Sequence, residues 1–388
     1  MNNLISARAE IRSLTGLRFV AAFYVFLFHI HIRWPLTSQP FLKNILDQGA
    51  IGMSLFFVLS GFVLTFQYAN RPIKYSHYLL NRFARIYPIY VLAAITTLPW
   101  IGISFGGDSL SQIFVGVAQG VMLVIANIFL VQAWFPQFFS FWNDGGSWSI
   151  SVEMFCYLLL PFALVRLGNL SNKYLGVFAA ICIVTAALPG FSAALFASPA
   201  IGVFYSMPIF RLPEFLVGAC ACLAIQRGIK IQTGAVIQLA VIFLFCAYLS
   251  MFGAALPLYV GHNWITIPVI SFLIFSLATG KGFLAAALSS KVMVWLGKIS
   301  YCFYSFQVLL ILLLIRYHDA LAVEIPALAN NRLFGLISLI VLLCCSAAAY
   351  YFVEEPVRYW IRYRYSPRLQ SKCSVRGVNE KHEQAFVG

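Results

Sequence analysis

The sequence predicts an all-α polytopic membrane protein: ten transmembrane helices plus one intramembrane, re-entrant helix. Three observations predict it. Of 388 residues, 61% are hydrophobic and 10% charged, where a soluble domain carries about 25% charged residues. Eleven apolar stretches each approach the ~20 residues of helix that a bilayer core requires. The basic residues cluster in alternate loops, which is how orientation in a membrane is encoded. Together these exclude a soluble cytosolic enzyme, a secreted disulfide scaffold and a disordered chain.

The stretches are 14–32, 49–69, 86–105, 113–134, 147–167, 175–195, 205–225, 233–252, 264–280, 296–315 and 333–353. Arg8 and Arg12 precede the first. Arg71, Lys74, Arg82 and Arg85 mark the loop after the second, so both loops are expected on the cytoplasmic side. Arg166 and Lys173, then Arg227 and Lys230, then Lys281, Lys291 and Lys298, then seven basic residues after 353 follow. These face outward if eleven stretches cross and inward if ten do. Ten are therefore expected, with both termini cytoplasmic. The stretch expected not to cross is 113–134, which holds Gly116, Gly120 and polar Gln119, Asn127 and Gln132. A helix may end inside the membrane where protein or water covers its ends, and 106–146 is then external.

One membrane domain is expected over 1–363, followed by a basic, disordered cytoplasmic tail at 364–388. The net charge of +14 comes from 26 Lys+Arg against 12 Asp+Glu. Its placement in short loops reads as topology and contact with anionic lipid, not nucleic-acid binding. Nine cysteines form no metal spacing, so buried structural thiols and no metal are expected. No cleavable leader is expected.

Ionisable groups at membrane depth cost about 2.5–3.5 kcal/mol on insertion scales and mark function. They are Arg18, His29, His31, Glu153, Arg211 and Glu214. Arg18 and His29 share one face of the first helix, ~16 Å apart along its axis. Counted from the outer end of the fifth stretch, Glu153 is expected ~9 Å deep, at the level of His29. A histidine with a carboxylate to orient it is the arrangement of a general base. His31 is expected to be solvated. Arg211 and Glu214, at i,i+3, either pair with each other or hold an acceptor.

Arg82 and Arg85 stand at the inner end of the third stretch, at the depth of Arg18. Three arginines on one inward-facing cavity suit phosphates. Coenzyme A is such a ligand, with phosphates at one end and a thioester on a long arm. That arm would join the arginines to His29 through one continuous tunnel. Ser60, Trp148 and Ser149 are candidate donors to an oxyanion. The turn Asn143-Asp144-Gly145-Gly146 either binds sugar or is only a loop.

The chain resembles the integral-membrane acyltransferase-3 family over about residues 10–360. The resemblance rests on Arg18 with His29, the run from Gly49 to Phe62, Arg82-x-x-Arg85-Ile86-Tyr87-Pro88 and Ser147-Trp148-Ser149-Ile150-Ser151-Val152-Glu153. It continues through Arg211-Leu212-Pro213-Glu214-Phe215, Leu296-Gly297-Lys298-Ile299-Ser300-Tyr301 and Glu355-Pro356. It implies a bacterial inner-membrane O-acyltransferase with ten membrane helices. The donor implied is cytoplasmic acyl-CoA, often acetyl-CoA, and the acceptor is a hydroxyl of a surface carbohydrate or glycolipid. It also implies functional roles for Arg18, His29, Arg82 and Arg85. Where the family often has a histidine, this chain has Gln307. With no further domain after the last helix, transfer is expected to finish within the membrane unit or with a partner. The alternative is a transporter or exporter of a glycan or lipid-linked substrate, against which the lack of an internal repeat counts.

Overall fold

The computed structural model describes residues 10–70, 72–142, 147–195, 201–229, 233–256, 260–279 and 282–365, the side chains of 192–195, 201 and 202 excepted. The chain runs through α1 (Arg12–His31), α2 (Pro40–Leu46), α3 (Ile51–Tyr68), α4 (Tyr75–Thr97), α5 (Leu110–Ile128), α6 (Trp148–Gly168) and α7 (Asn172–Leu195). It continues through α8 (Ile201–Phe204), α9 (Pro208–Gln226), α10 (Ala235–Phe252), α11 (Asn263–Thr279), α12 (Phe283–Leu288), α13 (Lys291–Glu324), α14 (Asn331–Ala349) and α15 (Glu355–Tyr365). Among the described residues there is no strand, and nine helical segments are long and apolar enough to cross a membrane. The protein is an all-α polytopic membrane protein. Helix covers most of each of the eleven apolar stretches; α4 carries Arg82 and Arg85, and α11 is the short one at 17 residues. The eight described cysteines are free thiols.

Small residues let the central helices touch. Apolar side chains gain little by leaving lipid for protein, so close backbone approach drives packing instead. A Cβ added to Gly61 would lie 1.8 Å from the carbonyl oxygen of Phe215, and one on Gly218 would lie 1.8 Å from that of Val58. Those two glycines set the crossing of α3 and α9. Gly297 does the same for α13 against α1, where an added Cβ would meet Thr15 O at 2.0 Å. Arg211 bonds Ser54 at one end of the α3–α9 pair and Asn70 bonds Gln226 at the other, so these helices run parallel. We call the end where α1 begins proximal and the opposite end distal.

The segment between α4 and α6 leaves and returns at the distal end. Tyr90 Oη donates to Asn127 Oδ1 at 2.8 Å and Tyr87 Oη to Ile128 O at 3.1 Å, which places the last turn of α5 beside the middle of α4. The chain then climbs back through two short 3₁₀ turns, and the Trp142 amide donates to Ile101 O at 3.0 Å. α5 buries its glycine face, Gly116 and Gly120, and exposes Phe114, Val121 and Ile125. It ends at Ile128, six residues short of the stretch the sequence predicts.

His31 departs from expectation. It is buried, its Nδ1 accepts from the Leu36 amide at 3.0 Å, and its Nε2 lies 3.7 Å from Asp47. The chain turns back over the end of α1 and covers the ring instead of leaving it in solvent.

Candidate active site

A cavity of about 1070 Å³ enters the bundle from the proximal end. Its rim holds Glu10, Gln67 and Asn70, which are exposed. α1 supplies Thr15 and Arg18, α4 supplies Arg82 and Arg85, and α15 supplies Arg358 and Arg362. Phe56, Phe57, Ser149 and Tyr304 line its distal end. The helix register explains the gathering: Ser300 and Tyr304 on α13, like Arg82 and Arg85 on α4, lie one turn apart and share a face.

One carboxylate organises the cations. Glu354 is fully buried and accepts from Arg85 Nη1 at 3.4 Å and Arg358 Nη1 at 3.1 Å, with the Cys302 thiol donating to its other oxygen at 3.2 Å. It sits in a π turn, Tyr350–Glu354, between α14 and α15. Pro356 has no amide to give the preceding turn, and the helix loosens immediately before it. Arg82 lies over the rings of Tyr68 and Tyr157, 5.8 and 6.0 Å from their centroids, a cation–π arrangement.

Glu153 also lies in this cavity, and here the sequence-based depth is corrected. Its Oε1 accepts from Ser60 Oγ at 3.2 Å, and it is in electrostatic reach of Arg18 and Arg85. No hydrogen bond or ion pair joins it to His29 among the described residues. The reason lies in where α6 begins. Trp148, Ser149, Ile150, Ser151 and Val152 are all buried beneath the 132–142 segment, with Gln132 Nε2 donating to Ser147 O. The helix therefore starts well inside the protein, and six residues along it Glu153 has reached the arginines.

His29 does not line the cavity. It is half-buried, its ring packs 5.1 Å from that of Phe28, and its ring nitrogens have no hydrogen-bond partner among the described residues. On the shared face of α1, buried Ala22 and Val25 stand between Arg18 and His29. Val25 packs in one core cluster with Met53, Phe56, Phe57 and Tyr304. The single continuous tunnel expected from sequence is thus closed by side chains at that level.

Of the remaining candidates, Ser60 and Ser149 line the cavity, and Ser149 Oγ shares a 2.8 Å hydrogen bond with Tyr304 Oη. Trp148 lies behind the wall, its ring 6.0 Å from Phe57 and 4.7 Å from Tyr205. Arg211 and Glu214 pair at 2.8 Å, both almost wholly buried. Arg211 also donates to Ser54 at 3.1 Å and lies over Phe57, Trp148 and Tyr205, while Glu214 accepts from Asn263 at 3.0 Å. The pair faces this ring cluster, not the cavity. Asn143 lies outside the described residues. Gln307 is fully buried, one turn beyond Tyr304, and neither of its amide atoms has a partner among the described residues.

Sequence reasoning missed Glu354, Arg358 and Arg362. On sequence alone the two arginines read as topology charges, although their i,i+4 spacing puts them on one helix face. Of the adjacent acids, the motif names Glu355, yet the π turn aims Glu354 inward and leaves Glu355 half exposed.

Comparison with known proteins gives the chemistry. An acyltransferase from Streptomyces mycarofaciens, MdmB, is 29% identical over 313 residues, which cover 75% of this chain and 76% of that protein. The peptidoglycan O-acetyltransferase OatA of Listeria monocytogenes is 27% identical over 191 residues, 44% of this chain but only 26% of OatA. A protein described as protein 2 in the picA locus of Rhizobium radiobacter is 38% identical over 84 residues, 21% of this chain and 40% of that protein. No solved structure matches. The acyltransferase domain model matches residues 11–351. With that match taking in Arg18, Arg82, Arg85 and nearly every helix around the cavity, the chain belongs to the acyltransferase-3 family and is a membrane-embedded acyltransferase.

Proposed function

We propose that the protein moves an acyl group, acetyl first among the candidates, from cytoplasmic acyl-CoA to a hydroxyl of a surface or lipid-linked carbohydrate. One observation carries this reading: five arginines from three helices line a single cavity that opens at the proximal end. The positive-inside bias supports reading that end as the cytoplasmic one, in a bacterial inner membrane. A polyanion on a long arm is the ligand such a cavity suits. Its charged end stays with Arg18, Arg82 and Arg85, and its thioester reaches the distal end beside Ser60, Ser149 and Tyr304.

His29 is the general base in this reading, serving an acceptor that arrives from the distal side. The imidazole takes the hydroxyl proton as the oxygen attacks the thioester carbonyl. Hydroxyls of Ser60, Ser149 or Tyr304 receive the oxyanion, and the collapsing intermediate expels the CoA thiolate, which takes up the proton. Glu153 belongs to the donor end, where its charge offsets Arg18 and Arg85. The ring of Phe56 turns aside when both substrates are bound, joining the two half-sites. Trp148, Arg211 and Glu214 hold the ring wall behind the thioester, and Asn143 is the candidate contact to the sugar.

The test is thiol release from labelled acetyl-CoA by purified protein supplied with candidate glycans. General-base catalysis contributes about 10²–10⁴-fold, so His29→Ala is expected to lose at least the lower figure while still inserting and folding. A variant with wild-type turnover ends the base assignment.

A further inference from the structure

Arg358 and Arg362 lie one turn apart on α15 and line the cavity beside Arg82 and Arg85. Arg362 is in electrostatic reach of the other three. The acids nearby do not balance them. Glu354 is taken by Arg85 and Arg358, Glu355 lies 4.0 Å from Arg358, Glu153 faces Arg18 and Arg85, and Glu10 at the rim accepts from Thr15 Oγ1 at 2.7 Å, which leaves Arg82 and Arg362 without an acid among the described residues. The Nε atoms of Arg82 and Arg362 are buried without a hydrogen-bond partner among the described residues. Clustered like charges with unused donors are unfavourable until an anion joins them.

We propose a second anion subsite at the cavity mouth, formed by Arg358 and Arg362 with Arg82, that takes a phosphate monoester. This rests on the acyl-CoA reading and deepens it. Coenzyme A carries its charge in two places, a diphosphate next to the pantetheine arm and a monoester on the ribose 3′ position. With the arm pointing to the distal end, the diphosphate falls to Arg18 and Arg85, and the 3′-phosphate falls last, at the mouth. A monoester bears close to two charges near neutral pH and three acceptor oxygens, and guanidinium forks match such oxygens two at a time. Tyr68, already stacked under Arg82, stands at the same rim and offers a face to the adenine.

The experiment is calorimetric binding of CoA and of 3′-dephospho-CoA to the purified full chain. Wild type is expected to bind CoA about tenfold tighter, the equivalent of one charge-assisted contact. Arg362→Gln loses that preference while its affinity for 3′-dephospho-CoA stays within about twofold, and Arg362→Lys keeps part of the preference. Arg358→Gln behaves like Arg362→Gln but also disturbs Glu354, so Arg362, which has no ion pair among the described residues, carries the test. Equal binding of both ligands by wild type, or equal weakening of both by Arg362→Gln, overturns the subsite and leaves the acyl-CoA reading standing. Binding of neither ligand overturns that reading and the subsite with it.

Discussion

Glu354 is the residue on which the cavity's charge balance turns. It is fully buried, while Arg85 and Arg358 keep 27% and 18% exposure. Removing one partner of a buried pair costs about 3–5 kcal/mol because the other charge is stranded. Partly exposed arginines recover some of that from water, so Glu354→Ala should destabilise by roughly the lower figure, seen as a drop in thermal midpoint in detergent. Replacing Glu354 and Arg85 together by Met should restore much of the stability, and donor binding should remain lost. Recovery of both would mean that Arg85 serves only the fold. At this scale the sequence put Arg18, Arg82 and Arg85 on one cavity by depth and offered Ser60 and Ser149 as candidate oxyanion donors, and all five line it. It misplaced Glu153, because depth was counted from a helix start assumed to lie at the membrane surface. It also passed over Glu354, because a π turn shifts register by one residue and nothing in a motif announces it.

Among the elements, the α3–α9 crossing is the tightest. Gly61 and Gly218 bring each backbone against the other, and a Cβ on either would meet a carbonyl oxygen, which no rotamer can move aside. Gly61→Ala and Gly218→Ala should each lower the thermal midpoint markedly and reduce the yield of folded protein. Gly176→Ala on α7 is the control. An added Cβ there meets nothing within 4 Å, and exchanging helical Gly for Ala favours the helix by about 1 kcal/mol. If Gly218→Ala matched that control, close approach would not set the crossing. The long helices were legible from runs of apolar residues, whereas α15, which carries three arginines, lies outside every such run. Charge parity set α5 apart as the stretch expected not to cross, and the fold adds its local form: its last turn bonds the middle of α4, and the following segment returns to Ile101.

For the molecule as a whole, the testable statement is orientation. Ser140 is exposed on the distal segment between α5 and α6. In intact cells Ser140→Cys should react with a membrane-impermeant thiol reagent, with the wild-type chain as the background. Labelling only after lysis would reverse the sidedness on which the cytoplasmic donor depends.

Composition and loop charge alone decided that this chain lives in a bilayer as a helical bundle, since apolar helices have one way to satisfy their backbones there. The order of its motifs carried the resemblance to the family, which the match over residues 11–351 established. What only the folded bundle decided is which groups meet. Glu153 went to the arginines, not to His29, and α15 came back to add two more. Such meetings depend on where helices cross and how far each has travelled from its end, and no local pattern carries those distances.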